Sequence, residues 1–396
     1  METIKSAAMH ARGATGKGEV VAVVDSGVLT SHIEFRDRYN QVRPTTIRTR
    51  HNLDVSSQSI GRDSSGRRIY YTPQGSQLRH GTAVASLIAG GSEHQHTVRT
   101  NNTAFGRTRV MRGVAYDATV RFHEIPLGSC PAPCIYRATN IFSRTYQDDR
   151  EEAQLYNQYL QMAKNSGAGV INFSFGKPGG IERYGASSIK GRFAQLAKVL
   201  EQPLISEADK TIVVWAAGNA RSARRGTPLD YTSPELLPGL GVHFPELRGH
   251  VLAVVATEQV GDKPRIASFS NRCGKAKDFC IAAPGEDMFI ANSDGDELYA
   301  RESGTSFAAP LVSGALAALR QYFSEDDRNG NRSYQLGNTE LVARLLATAD
   351  RTGIYSDSST YGHGMMDLDA ATKPVGRMFT SLSTDPSAQP FDASAF

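Results

Sequence analysis

The sequence predicts an α/β fold: a mostly parallel sheet covered by helices on both faces. Three observations carry this. Short runs rich in Val, Ile and Ala recur along the chain, and stretches with apolar residues at helical spacing separate them. The runs are continuously apolar rather than alternating, as strands buried on both faces must be. No repeat or linker breaks the strand–helix alternation, which favours one three-layer unit. At 396 residues, length alone suggests two or three domains. The uninterrupted pattern instead reads as a single large domain over residues 1–371, followed by a Pro/Ser/Thr-rich tail over 372–396.

Taken in order, residues 20–24 (Val-Val-Ala-Val-Val) form the first strand, ending at Asp25-Ser26-Gly27. The Gly13, Gly16 and Gly18 cluster before it lacks dinucleotide-fingerprint spacing and precedes a strand, where a phosphate loop follows one. Residues 30–79 are polar and aperiodic and read as surface loops with a hairpin. Residues 80–90 place Val84, Leu87 and Ile88 on one helical face, and Gly90-Gly91 stops that helix. Residues 92–112 read as loop. Residues 119–125 form a strand and 149–165 a helix with Leu155, Tyr159 and Met162 on one face. Strands then follow at 169–173, 211–216, 251–256 and 279–283. Helices follow at 189–200, 305–323 and 339–349.

The charge balance, 44 basic against 40 acidic residues, leaves +4 on the whole chain. No concentrated basic stripe accompanies it, so nucleic acid is not an expected partner. Hydrophobic residues at 40% and charged residues at 21% exclude a disordered chain. No apolar run reaches the roughly 18 residues of a membrane span. The start, METIKSAAMHAR, has no apolar core of a secretory signal.

Four cysteines lie in two close pairs, Cys130 with Cys134 and Cys273 with Cys280. Three connectivities are possible. Local pairing, 130–134 and 273–280, is expected because the chain already holds those partners together, and two such bridges imply an oxidising compartment. Four free thiols are the alternative. The spacing does not match a paired-CxxC zinc site, and His94 and His96 have no third ligand nearby in sequence, so no metal residue is assigned.

Three segments place a reactive residue beside glycine at the edge of a predicted element. Asp25 ends a buried strand, where ligands of open α/β sheets bind. His80-Gly81-Thr82 opens a helix. Ser306, within Gly304-Thr305-Ser306-Phe307-Ala308-Ala309-Pro310, sits where free N–H groups and the helix dipole favour a developing anion. Singly, each is more often a turn former, a loop histidine or a helix cap. Together, in the order Asp, His, Ser and spaced by 55 and 226 residues, they follow one of three known chain orders of a serine triad.

In these segments the chain resembles the subtilisin-like serine peptidases, the subtilases. Ala216-Ala217-Gly218-Asn219 is similar to the family's oxyanion-asparagine segment, and Val170 to Gly176 (VINFSFG) to its substrate-binding strand. Gly113-Val114-Ala115 and Ala283-Pro284-Gly285 also fit. The resemblance covers roughly residues 15–370. The related sedolisins carry glutamate at the position of His80, so a neutral-to-alkaline peptidase is the better match.

The resemblance implies a subtilisin-like three-layer fold and a serine endopeptidase acting on proteins or peptides. Asp25, His80 and Ser306 would be the catalytic triad and Asn219 the oxyanion donor. Ser174, Phe175 and Gly176 with Ala216, Ala217 and Gly218 would flank an extended substrate as added strands. An inactive subtilase-fold binding or scaffold protein is the alternative function. The ending, Tyr361-Gly-His-Gly364 to Pro374-Val-Gly376, is similar to the close of autotransporter subtilases of Gram-negative bacteria. That implies an extracellular or cell-surface location and, as further partners, a translocator barrel, a chaperone or the chain's own prodomain. Only 24 residues precede Asp25, too few for such a prodomain, and 20 follow Gly376, too few for a barrel. No cofactor is required by this chemistry. Calcium, which some relatives bind, has no clear loop here, since in Asp326 to Asn331 the glycine is misplaced and no glutamate closes the loop.

Overall fold

The computed structural model describes residues 2–35, 53–57, 59–62, 64–70, 73–91, 96–100, 103–109, 111–125, 149–176, 179–201, 211–220, 231–261, 263–326, 332–374, 379–380 and 391–392. Eight strands form the central sheet: β1 (Val20–Asp25), β2 (Asp54–Ser57), β3 (Thr119–Glu124), β4 (Val170–Phe173), β5 (Ile212–Ala216), β6 (Val251–Val260), β7 (Lys263–Ile266) and β8 (Cys280–Pro284). Their order is β7-β6-β5-β4-β1-β3-β2, with β8 also paired to β6. All pairings are parallel except β6 with β7. Five longer helices pack on it: α1 (Arg79–Ala89), α2 (Asp149–Asn165), α3 (Ala186–Glu201), α4 (Thr305–Tyr322) and α5 (Asn338–Ala347).

The period-2 alternation of strand side chains divides the core between the two faces. Val21 and Val23 join one cluster with Val120, Val214 and Val254 and with apolar residues of α1, α4 and α5. Ala22 and Val24 join the other, with Ile171, Phe173 and Trp215 and with α2 and α3. Phe173 and Trp215 stack at 4.0 Å between centroids. Because both faces are covered, the strands can afford no polar alternation, which is why they read as unbroken apolar runs.

The predicted elements are all present with small changes of boundary. Two regions differ. Residues 92–112, expected as loop, contain an antiparallel pair, His96–Thr100 with Thr103–Arg109; their threonines and valine favour strands. The strand expected at 251–256 runs on to Val260 and turns back as β7. The polar 30–79 stretch contributes β2 to the sheet edge as well as the hairpin Ser59–Arg62 with Arg68–Tyr70. The Cys273–Cys280 disulfide is formed, as its spacing predicts, whereas Cys130 and Cys134 lie outside the described residues.

Candidate active site

Parallel strands release their loops on the same edge, and the register makes three of them level. Val24 of β1 pairs with Phe173 of β4, which pairs with Trp215 of β5. The next residues, Asp25, Ser174 and Ala216, therefore stand side by side at the carboxyl edge, where such sheets bind ligands.

Asp25 is fully buried. Its Oδ1 accepts from the Ser26 backbone N–H at 2.7 Å. Opposite it, His80 is the second residue of α1 and its Nδ1 lies 2.8 Å from Oδ1 and 3.0 Å from Oδ2. The rest of the His-Gly-Thr motif explains this approach. A Cβ at Gly81 would stand 2.3 Å from the Gly27 carbonyl oxygen, so only glycine lets α1 pack this closely on the loop after β1. Thr82 Oγ1 accepts from Leu29 N–H at 2.8 Å and ties the same loop to the helix. Burial works against a charged His80 ring. The Asp25 carboxylate, by charge and hydrogen bond, and the charge of Glu302 outweigh it and hold the His80 pKa above its ordinary value. The ring remains partly open to solvent, with 35% of its side chain exposed.

Ser306 occupies the first turn of α4, whose cap is Gly304 rather than the serine. Pro310 lies inside the helix and has no N–H to give to the carbonyl four residues earlier. That carbonyl belongs to Ser306, and Ser174 Oγ donates to it at 2.9 Å instead. In return, Ser306 Oγ donates to the Ser174 carbonyl at 2.8 Å. Asn172 Nδ2 donates to Ser174 Oγ at 2.9 Å, and Ser313 Oγ donates to Asn172 Oδ1 at 2.9 Å. A buried polar chain thus runs from mid-helix to the serine. The Ser306 hydroxyl is bonded to the Ser174 carbonyl rather than to His80; the His80 ring lies 5.7 Å, centroid to centroid, from the ring of Phe307, the next residue of the same turn. Hydrogen bonds between nucleophile and base commonly tighten only when substrate is bound.

Asn219 follows β5. Its Oδ1 accepts from both the backbone N–H and the hydroxyl of Thr305, each at 3.0 Å. Thr305 Oγ1 also accepts from Gly218 N–H at 3.2 Å. Fixing Oδ1 sets the amide plane and turns its NH₂ end away from Thr305. Asn271, fully buried, braces the other side: its N–H donates to the Gly218 carbonyl at 2.9 Å, and its Oδ1 accepts from Ala220 N–H at 2.8 Å.

Of the flanking residues, Ala216 and Ala217 are buried in the core. The Phe175 ring lies among Tyr156, Phe173 and Trp215, so its segment offers the cleft backbone rather than an aromatic wall. Sequence reasoning carried Thr305 and Asn172 only as members of their motifs, without a role, and missed Asn271 and Ser313, which sit in no pattern distinguishable from ordinary turn or helix polarity.

Among the described residues no group of three or more His, Cys, Asp or Glu is placed to hold a metal ion. Asp326 is paired with Arg332 at 2.8 Å. Residues 327–331 of the Asp326 to Asn331 loop lie outside the described residues.

The subtilase family profile matches residues 16–364. The chain belongs to the subtilase family, which is a family of serine endopeptidases. It is 26% identical to subtilisin BL of Lederbergia lenta over 93% of this chain and 96% of that protein. It is 25% identical to an extracellular serine protease of Serratia marcescens over 98% of this chain, and 31% identical to serotype-specific antigen 1 of Mannheimia haemolytica over 44% of it. The chain spans only 34% and 17% of the lengths of the last two. Among solved structures, the prenylagaramide maturation protease PagA shares the fold with a TM-score of 0.56 at 20% identity, covering 93% of this chain and 97% of that one.

Proposed function

We propose that this subtilase is an active serine endopeptidase working outside the cell or at a bacterial surface. The observation that carries the reading is that the ring of His80, bonded to Asp25, lies 5.7 Å from that of Phe307 in the first turn of α4, where Thr305 tethers the Asn219 amide. Ser306 Oγ attacks the scissile carbonyl carbon as His80 Nε2 takes its proton, and Asp25 orients the ring and stabilises its cation. The oxyanion receives the Asn219 amide and the Ser306 backbone N–H, one of the first four in α4 and so without an intrahelical acceptor. Collapse expels the amine, which takes the proton from His80. Water, deprotonated by the same ring, then releases the acyl group. Residues 174–176 and 216–218 flank the substrate, whose backbone joins them as an added strand.

The location is supported by the relatives named extracellular protease and antigen and by the Cys273–Cys280 bridge. Among the described residues no helix is long and apolar enough to cross a membrane. A translocator, a chaperone or a prodomain remains the partner that the autotransporter-like ending supports, and residues 1–371 the catalytic domain. A fluorophosphonate probe should label the purified chain at Ser306 and block casein cleavage. An unlabelled, folded chain would favour the inactive scaffold.

A further inference from the structure

Glu235 is a buried carboxyl that the proposed chemistry does not use. It is 6% exposed. Its backbone N–H donates to the Ala217 carbonyl at 2.9 Å, and it bridges antiparallel to Gly180. The residue is thus laced between the chain leaving 174–176 and the chain at 216–218. Its side chain enters the gap between them. A Cβ at Gly176 would lie 2.4 Å from Glu235 Oε2, and one at Gly218 would lie 2.5 Å from its Cγ and 2.6 Å from Oε1. Both glycines are therefore required by the carboxyl group that stands between them.

An Asn219 backbone N–H reaches the carboxyl, but burial dominates and pushes its pKa up to about 8. No basic side chain among the described residues pairs with it. A Leu, Met or Gln would fill the same gap without the cost of desolvating an acid. A carboxylate in this place makes physical sense when a cation arrives to pair with it.

We propose that Glu235 is the floor of the pocket for the substrate residue that supplies the scissile carbonyl, and that it selects a Lys or Arg side chain there. This rests on the reading of 174–176 and 216–218 as the segments flanking the substrate. Gly176 and Gly218 place no side chain of their own beside the carboxyl group, and an incoming cation would meet it where the Asn219 N–H already reaches it.

The test uses the full chain and peptide substrates identical except for Arg, Leu or Ala before the cleaved bond. Wild type should favour Arg in kcat/KM by on the order of a hundredfold. Glu235→Gln should remove that preference, lowering kcat/KM for the Arg peptide by about the same factor while leaving the Leu peptide within about threefold. Fluorophosphonate labelling of the variant should proceed at the wild-type rate. Because Glu235→Gln could fail to fold, wild type is also challenged with benzamidine, a cationic amidine, against neutral benzamide; only benzamidine should compete. An Arg/Leu ratio unchanged by Glu235→Gln would overturn the proposal. So would equal inhibition by the two small molecules, or a wild-type preference for Ala with Glu235→Gly opening the site to Leu, which would make Glu235 a plug. If no peptide is cleaved and no probe reacts, it is the peptidase reading that fails.

Discussion

The first turn of α4, with the ends of β4 and β5, is braced by neutral hydrogen bonds: Ser174 with Ser306 in both directions, and Thr305 with Asn219 and Gly218. Across the cleft, Asp25 and His80 are held by charge, with the ring partly in solvent. The difference teaches a division of labour. On the proposed reading, the neutral side holds the nucleophile and the oxyanion donor through hydroxyl, amide and carbonyl groups, and none of the groups in these bonds titrates near neutrality. On the same reading, the charged side changes protonation as the reaction runs, and the pH dependence of the proton transfer belongs to it.

The sharpest way to break the comparison is Ser306→Ala. On the proposed reading, kcat falls about 10⁶-fold while Tm stays near wild type, because the lost hydroxyl makes one bond to a carbonyl. Residual casein cleavage within about tenfold of wild type would refute the assignment. Asn219→Ala should lower kcat by about 10²–10³-fold with KM little changed; steady-state kinetics on one peptide checks this. Thr305→Val removes the hydroxyl bonds to Asn219 and Gly218 but keeps the backbone N–H. It should cost about tenfold in kcat with no change in the pH profile, since it acts on the neutral side alone.

The charged side is tested by pH. His80 accepts a proton only when neutral, and its pKa lies above the usual value near 6.5. Activity should rise through the neutral range to a plateau at mildly alkaline pH and collapse below about pH 5.5. An acid optimum would assign the proton transfer to another group.

The smallest effect lies outside the cleft. Glu34 is buried, accepts from Tyr299 Oη at 2.5 Å, and has its pKa pushed up to about 8, chiefly by burial. The folded chain thus holds a proton that the unfolded chain releases near 4.5. Its contribution to stability is full below that value and is lost as pH rises toward 8. Tm should therefore fall less steeply between pH 5 and 8 in Glu34→Gln than in wild type, by differential scanning calorimetry.

Asp25, His80, Ser306 and Asn219 were legible as candidates because each stands beside a glycine or small residue at the end of an element, a local arrangement that has few purely structural uses when all occur in one order. The parallel sheet was legible for a similarly local reason: strands covered on both faces are apolar throughout. The hairpin at 96–109 was hidden by its polar composition, which resembles loop.

What the sequence determined by itself is therefore the element order, the family and the candidates for the reactive residues, all encoded in neighbours along the chain. What only the tertiary structure decided is how those residues are held and what they face. Ser174 and Ser306 are 132 positions apart, Asn219 and Thr305 are 86 apart, and Asn172 and Ser313 are 141 apart. Each is an ordinary polar residue until the register of β1, β4 and β5 brings their ends level. Glu235 is the extreme case. A single glutamate in a Pro- and Leu-containing stretch carries no signal, and its meaning arises only where two glycines from distant segments leave room for its carboxyl group.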